Sequence, residues 1–307
     1  MRQQLCDALV LRSSRPDMVF LTGDLGFMAL VPLQEAMGER FINAGVAEQN
    51  MISVVAALAR EGMEAWAYSI APFCYARPFE QVRNDIAFHN LPVKLIGNGG
   101  GYGYGVMGPT HHAIEDYGIL LALPHMRAFV PAFDEDLKAT IDRAGEASTP
   151  CYIRLGRGEV PAGYETPAYA PWRQLVQGGG MAVVAVGPVA GTYIEAFRAL
   201  PEPLRPNFWV VSELPLDLNP MPADLLAHIR AGDGLCVIEE HVRRGGLGSE
   251  IALLMATQGI SPKRFAHVHA RAHHYATYGS QAFLRAQSGL DVDSVLAVVA
   301  EQQSEIT

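Results

Sequence analysis

Gly45-Val-Ala-Glu-Gln-Asn-Met51 opens a run of small and apolar residues that continues to Ala59. Its composition predicts a helix from about Asn50 to Ala59, with the acid Glu48 at its start. An acid in a first turn complements the helix dipole, and that bland role is open to Glu48 on these residues alone. Working outward, Met18-Val-Phe-Leu21 precedes the run as a strand and ends in the turn Thr22-Gly23-Asp24. Glu64 to Tyr68 follows it as a second strand. Pro78 to Phe88 reads as a helix, Val93-Lys-Leu-Ile96 as a strand running into glycines, Arg127 to Val130 as a strand and Asp134 to Ala144 as a helix. Strands alternating with helices imply a mostly parallel sheet covered on both faces.

Pro161 to Pro171 interrupts the alternation with three prolines and two tyrosines, and reads as a connection. The pattern then restarts. Strands are expected at Ala182 to Val186, Phe208 to Val211 and Leu235 to Ile238. Helices are expected from about Thr192, Ala223, Gly248 and Val292, the last running to Gln302. The expected fold is α/β with two α/β domains, residues 1–165 and 166–307, each with a mostly parallel sheet flanked by helices. A chain of 307 residues, half of them hydrophobic, can bury two such cores.

The net charge of −9 and pI near 5.6 argue against a nucleic-acid partner. Cys6, Cys74, Cys151 and Cys236 are widely spaced and read as free thiols of a reducing compartment. No basic-then-apolar start suggests a signal peptide, and the apolar runs are strand-length, so a cytoplasmic, membrane-free setting is expected.

The Glu48 segment resembles the signature of the pyrimidine-binding domain of transketolases. The resemblance implies that Glu48, with Gln49 beside it, meets the aminopyrimidine of thiamine diphosphate. There the acid holds a ring nitrogen and works as an indirect general acid/base, a task that requires sequestering it from water. Further segments extend the resemblance. Arg77-Pro-Phe-Glu-Gln-Val-Arg-Asn-Asp85 and Asn90-Leu-Pro-Val-Lys94 match a stretch whose arginine approaches a substrate phosphate, which points to Arg77. Glu80, Arg83 and Asp85 have a plainer role open to them as solvated helix charges. Phe73 and Tyr75 in Ala71-Pro-Phe-Cys-Tyr75 are the rings available to stack on the aminopyrimidine, or to serve the core. Gly97-Asn-Gly-Gly-Gly-Tyr-Gly-Tyr-Gly-Val-Met-Gly-Pro-Thr-His-His112 lacks the Gly-Lys-[Ser/Thr] ending of a nucleotide-phosphate loop. It is similar instead to the family's active-site loop, in which His111 would face cofactor and substrate. Arg157 and Arg2 match phosphate-contacting arginines, and Arg forks suit phosphate or carboxylate alike. Ile238-Glu-Glu-His-Val-Arg-Arg-Gly-Gly-Leu-Gly-Ser-Glu250 is similar to a C-terminal-domain stretch that packs rather than catalyses.

The departures are as informative. Gly99 stands where sugar-phosphate transketolases carry a histidine, and Met107 where they carry an aspartate. Phe27 and Met28 lie where a phosphate-contacting serine is expected, and Cys74 where a phenylalanine is usual. Apolar groups in place of donors penalise a hydroxylated substrate, so an ordinary ketose phosphate is not assured. Gly232-Asp-Gly234 mimics the start of the diphosphate motif but reads as a turn. His267-Val-His-Ala-Arg-Ala-His-His274 could suit a metal by spacing, yet lacks neighbouring carboxylate or thiol ligands and reads as an interface loop.

The resemblance thus implies half of a shared site. The diphosphate-binding domain and its Mg2+ or Ca2+ would belong to a separate partner subunit, in an α2β2 assembly by two-fold symmetry. The expected activity is transfer of a two-carbon ketol unit, or a related acyl unit, from a ketose or 2-oxo donor to an aldehyde. Alternatives are a 2-oxo acid decarboxylase or dehydrogenase β subunit, a 1-deoxyxylulose-phosphate-synthase-like enzyme, and a non-catalytic assembly subunit. Retention of Glu48 argues against the last.

Overall fold

The computed structural model describes residues 1–232 and 234–300. Among the described residues there are twelve strands: β1 Met18–Thr22, β2 Phe41–Asn43, β3 Glu64–Ile70, β4 Lys94–Asn98, β5 Arg127–Phe129, β6 Cys151–Arg154, β7 Trp172–Val176, β8 Ala182–Val186, β9 Asn207–Val211, β10 Glu213–Leu214, β11 Leu235–Val242 and β12 Phe265–Ala270. They form two sheets, in the orders β10-β5-β6-β4-β3-β1-β2 and β12-β11-β8-β9-β7. All neighbours are parallel except the edge pairs β10/β5 and β7/β9. The α/β reading therefore holds. β1 and β8 are buried at every position, as expected of parallel strands covered on both faces.

The helix Glu48–Arg60 buries Glu48, Met51, Ile52, Val55, Ala56 and Ala59, one stripe at helical spacing, against β1 and β3. It begins two residues before the expected start, so Glu48 lies inside its first turn. Several expectations need correction. The 78–88 segment is a short helix Phe79–Gln81 followed by a π-helical turn Val82–Ala87. The helix expected from Thr192 begins as a 3₁₀ segment Gly187–Tyr193 and is α-helical only over Ile194–Ala199. The histidine run is not a loop throughout, because 265–270 is strand β12. The terminal helix spans Val292–Ala300, and its expected end at Gln302 lies outside the described residues, as does Asp233 of the Gly-Asp-Gly turn. β10, from the second half, closes the first sheet. Its buried Glu213 is held there by Arg143 and Arg127.

The chain order locates the crevice. From β1 the chain moves to β2 on one side and then to β3 on the other. A parallel sheet binds ligands outside the carboxyl ends of its strands where the order reverses in this way. That point lies between β1 and β3. Gly23, after β1, Glu48, after β2, and Ser69, near the end of β3, meet there. A Cβ on Gly23 would lie 3.5 Å from the Gly45 carbonyl, 3.7 Å from Glu48 Cγ and 3.9 Å from Ser69 Oγ.

Candidate active site

Glu48 is 4% exposed and sits in the first turn of its helix, where the dipole favours a negative charge. Asn43, at the end of β2, builds the approach. Its Oδ1 accepts from the Asp24 and Gly45 amides and its Nδ2 donates to Asp24 Oδ1, stapling the turn after β1 to the peptide before Glu48. Cys74 lies close by. Its thiol is pushed up to about 12, mainly by burial and further by the charge of Glu48, so it stays protonated. Ser69 Oγ is buried without a protein partner.

Arg77 Nη1 donates to Glu48 Oε1 at 2.8 Å, and its guanidinium lies 4.1 Å over the Phe73 ring. Phe73 meets His111 edge-on at 5.2 Å, and His111 meets Tyr104 at 6.0 Å. Thr110 Oγ1 engages His111 Nδ1 at 2.9 Å. Tyr104 Oη accepts from Asn98 Nδ2 at 2.7 Å. Four residues singled out by sequence thus form one row, Glu48–Arg77–Phe73–His111. The other proposed stacking ring, Tyr75, is not on it. It is 2% exposed and donates to Glu115 Oε2 at 3.2 Å from within the core. Gln49 is exposed beside Glu48. Arg2 is exposed, and its charge acts on the phenols of Tyr68 and Tyr104, which burial otherwise pushes up. Arg157 is exposed and borders a small cavity between the two sheets' domains with Arg154, Glu240, Gln281 and Arg285. Asp85 accepts from Ser53 at 2.6 Å and so ties the π-helical turn to the Glu48 helix.

Tyr104 and Asn98 were missed in the sequence. The signal was Gly99, whose φ of +77° suits glycine and whose Cβ would come within 2.2 Å of the Tyr104 ring. Tyr104 therefore crowds the place beside Gly99. The segments next to the row in sequence also carry exposed apolar side chains: Phe27, Met28, Val46, Val106 and Met107 are all at least half exposed.

The second sheet supports this loop. Tyr102 N donates to Glu240 Oε1 at 2.7 Å, and Arg285 and Gln281 also bond Glu240. Glu239 accepts from the Leu247 and Gly248 amides at a helix N-terminus, from Tyr117 Oη and from His267 at 2.6 Å. Gly246 is required here, since a Cβ would fall 2.5 Å from Glu239 Oε1. This accounts for the glycine-rich stretch after the two acids. Burial pushes Glu240 up, but Arg285, Gln281 and Arg154 outweigh it and the net is below the usual 4.5. A group with a depressed folded pKa contributes stability above its unfolded value and loses it as pH falls through the folded one. The melting temperature should therefore hold above about pH 5 and fall as pH drops below about pH 4.5. Melting curves for Glu240→Gln should show a shallower acid limb, and an unchanged limb would remove Glu240 from the account.

Comparison with known proteins places the chain in a family. Residues 9–162 match the transketolase pyrimidine-binding domain. The chain is 30% identical over 273 residues to an apulose-4-phosphate transketolase subunit of Actinobacillus succinogenes, covering 87% of this chain and 86% of that one. It is 32% identical over 253 residues to a putative transketolase C-terminal section of Methanocaldococcus jannaschii, covering 80% and 78%. Among solved structures, a split-gene transketolase described as an inactive β4 tetramer superposes with a TM-score of 0.82 at 30% identity, over 99% of this chain and 97% of the other.

Proposed function

We propose a two-subunit enzyme, because this chain belongs to the transketolase family and supplies one face of a thiamine-diphosphate site. It is a transketolase-like transferase subunit, with a pyrimidine-binding unit over residues 1–165 and a C-terminal unit from 166. The reaction is transfer of a two-carbon ketol unit, or a related acyl unit, from a ketose or 2-oxo donor to an aldehyde. The observation that carries this reading is the row Glu48–Arg77–Phe73–His111 at the switch point of the first sheet. The residues present fit the cofactor's ring. A sequestered carboxylate, an orphaned Ser69 hydroxyl and a half-buried Phe73 face converge on one crevice.

Thiamine diphosphate, when bound, supplies the carbon nucleophile that carries the transferred unit. Glu48 holds a proton at the ring nitrogen, and its burial keeps water from competing for it. Phe73, not Tyr75, presents the stacking ring. Arg77 satisfies Glu48 in the isolated chain and is 46% exposed at its side chain. With the cofactor in place it would release a carboxylate oxygen of Glu48 and keep its guanidinium for an anionic substrate group. Thr110 fixes His111 Nδ1, leaving Nε2 for proton transfer. Gln49 flanks the cofactor, while Arg2 and Arg157 are further guanidiniums for an anionic group. Tyr104 and Met107, in place of a donor-lined wall, favour a donor or acceptor less hydroxylated than an ordinary ketose phosphate.

The partner carries the diphosphate-binding domain. Phe27, Met28, Val46, Val106 and Met107 form the apolar rim that it covers. Among the described residues no group of three or more His, Cys, Asp or Glu side chains is placed to hold a metal ion. We assign the Mg2+ or Ca2+ that a diphosphate demands to the partner, in an α2β2 assembly, on the charge of the diphosphate and two-fold symmetry. Among the described residues no helix is long and apolar enough to cross a membrane. All four cysteines are buried free thiols, which supports a cytoplasmic setting.

The experiment is reconstitution with the partner subunit. Thiamine diphosphate binding in the presence of Mg2+ should appear only in the complex. Turnover should then be screened with a ketose phosphate, an unphosphorylated ketose and a 2-oxo acid as donors. Tight binding by this chain alone would overturn the shared site.

A further inference from the structure

The run His267–His274 has two halves with different work. The first half is in β12, where His267 turns to Glu239 inside the second sheet's own domain. The second half leaves the sheet and reaches the first domain with two adjacent residues. The Ala272 carbonyl accepts from Tyr102 Oη at 2.8 Å. His273 Nε2 donates to Glu115 Oε1 at 2.8 Å. Tyr102 stands at the head of the glycine-rich loop that carries His111, and Glu115 stands just beyond its end. Inside the loop, His112 Nε2 donates to the Gly105 carbonyl at 2.9 Å. The His112 ring stands edge-on to Tyr102 at 5.3 Å and parallel to His273 at 6.4 Å. The loop also lies tight on the second domain, since a Cβ on Gly105 would meet the Gly279 carbonyl at 2.9 Å.

Glu115 passes the contact on. Its Oε2 accepts from Tyr75 Oη at 3.2 Å and from the Ile114 amide at 3.0 Å. Tyr75 ends the helix Ala71–Tyr75, which bears Phe73. Burial pushes Glu115 up, yet His273, Tyr75 and the Ile114 amide bring it below its usual value, so it stays an ionised acceptor.

We propose that His273, reaching in from the second domain, is a positioning residue that sets His111 and Phe73 relative to each other, through Glu115 and Tyr75 on one side and alongside the Ala272–Tyr102 contact on the other. This assigns the second domain a part in shaping the cleft beyond packing. It rests on the reading of the cleft as a thiamine-diphosphate site.

The test has two readouts. Hydrogen exchange on the whole chain, without cofactor, reads the link itself. His273→Ala should speed exchange about tenfold across 71–77 and 103–112, the size of losing one hydrogen bond to a charged group. Amides of β3 and β4 should not change. His273→Gln keeps an N–H donor and should recover most of the protection. Tyr75→Phe removes only the last hydroxyl and should reproduce the effect over 71–77 alone, which also covers the case of a His273→Ala chain that fails to fold. In the reconstituted enzyme with thiamine diphosphate and Mg2+, His273→Ala should raise the cofactor KM about tenfold and change kcat less than about threefold. Unchanged exchange in both segments overturns the proposal, and so does a uniform rise through β3 and β4. For Tyr75→Phe, unchanged exchange over 71–77 does the same. Because exchange is read without cofactor, its outcome stands apart from the fate of the proposed reaction, which full turnover in Glu48→Gln would sink.

Discussion

Glu48→Gln is expected to lower kcat of the reconstituted enzyme by about a hundred- to ten-thousand-fold, the range for loss of a positioned proton-transfer group. The amide keeps the shape of the side chain, so assembly with the partner should survive. Stability should move little. The substitution removes a charge that is only 4% exposed, and with it the desolvation cost of burying that charge. What it breaks is the 2.8 Å pair with Arg77, whose guanidinium is nearly half exposed and can turn to water at small cost. Stacking on Phe73 at 4.1 Å remains to hold it. The measurements are kcat, co-elution with the partner and the melting temperature of the complex. Wild-type turnover would take Glu48 out of the chemistry. Loss of assembly along with turnover would make it a structural acid.

How much of this was legible follows from where each signal sits. β1 and β8 were plain because both faces are buried and every position is apolar or small. β7 was not. It follows the proline-rich segment and reads Trp-Arg-Gln-Leu-Val, and Arg173 within it is buried against Asp136, which takes its guanidinium at 2.7 and 2.6 Å. A partner 37 residues away leaves no local trace in a sequence. β12 was missed for a related reason, being an edge strand whose histidines are half-buried. In the site, Glu48, Arg77 and His111 were marked by their motifs. The choice between Phe73 and Tyr75 was not, since residues two apart on a helix point about 200° from each other and the sequence does not say which faces the cleft. The packing does: Tyr75 goes to Glu115 and Phe73 to His111. Gly99 was legible as a departure but not as a device. Only the structure shows the Tyr104 ring occupying the space beside it.

Asp116→Ala should be the most damaging single change to stability, at about 3–5 kcal/mol, because it strands a buried cation. Asp116 is fully buried at the start of the helix Asp116–Leu121, and Arg154 at the end of β6 is 3% exposed. Arg154 Nε donates to Asp116 Oδ2 at 2.8 Å, and Tyr152 Oη donates to the same oxygen at 2.9 Å. Removing the carboxylate leaves the guanidinium with two carbonyls, Ala113 at 2.9 Å and Glu240 at 2.8 Å, and takes from the buried Tyr152 phenol its acceptor. Those two carbonyls give the pair its functional interest. Ala113 closes the His111 loop, and Glu240 belongs to β11 of the second sheet, so one side chain joins the loop to both domains. Replacing both members with apolar groups, as Asp116→Leu with Arg154→Met, removes the stranded charge and should recover most of the lost stability. It should not fully recover turnover, because the direct Arg154 bridge between the Ala113 and Glu240 carbonyls is then gone. Urea unfolding of the two variants separates these effects. A cost below about 1 kcal/mol for Asp116→Ala would mean that the guanidinium finds other partners, and the bridge would then be a consequence of the packing and not its cause.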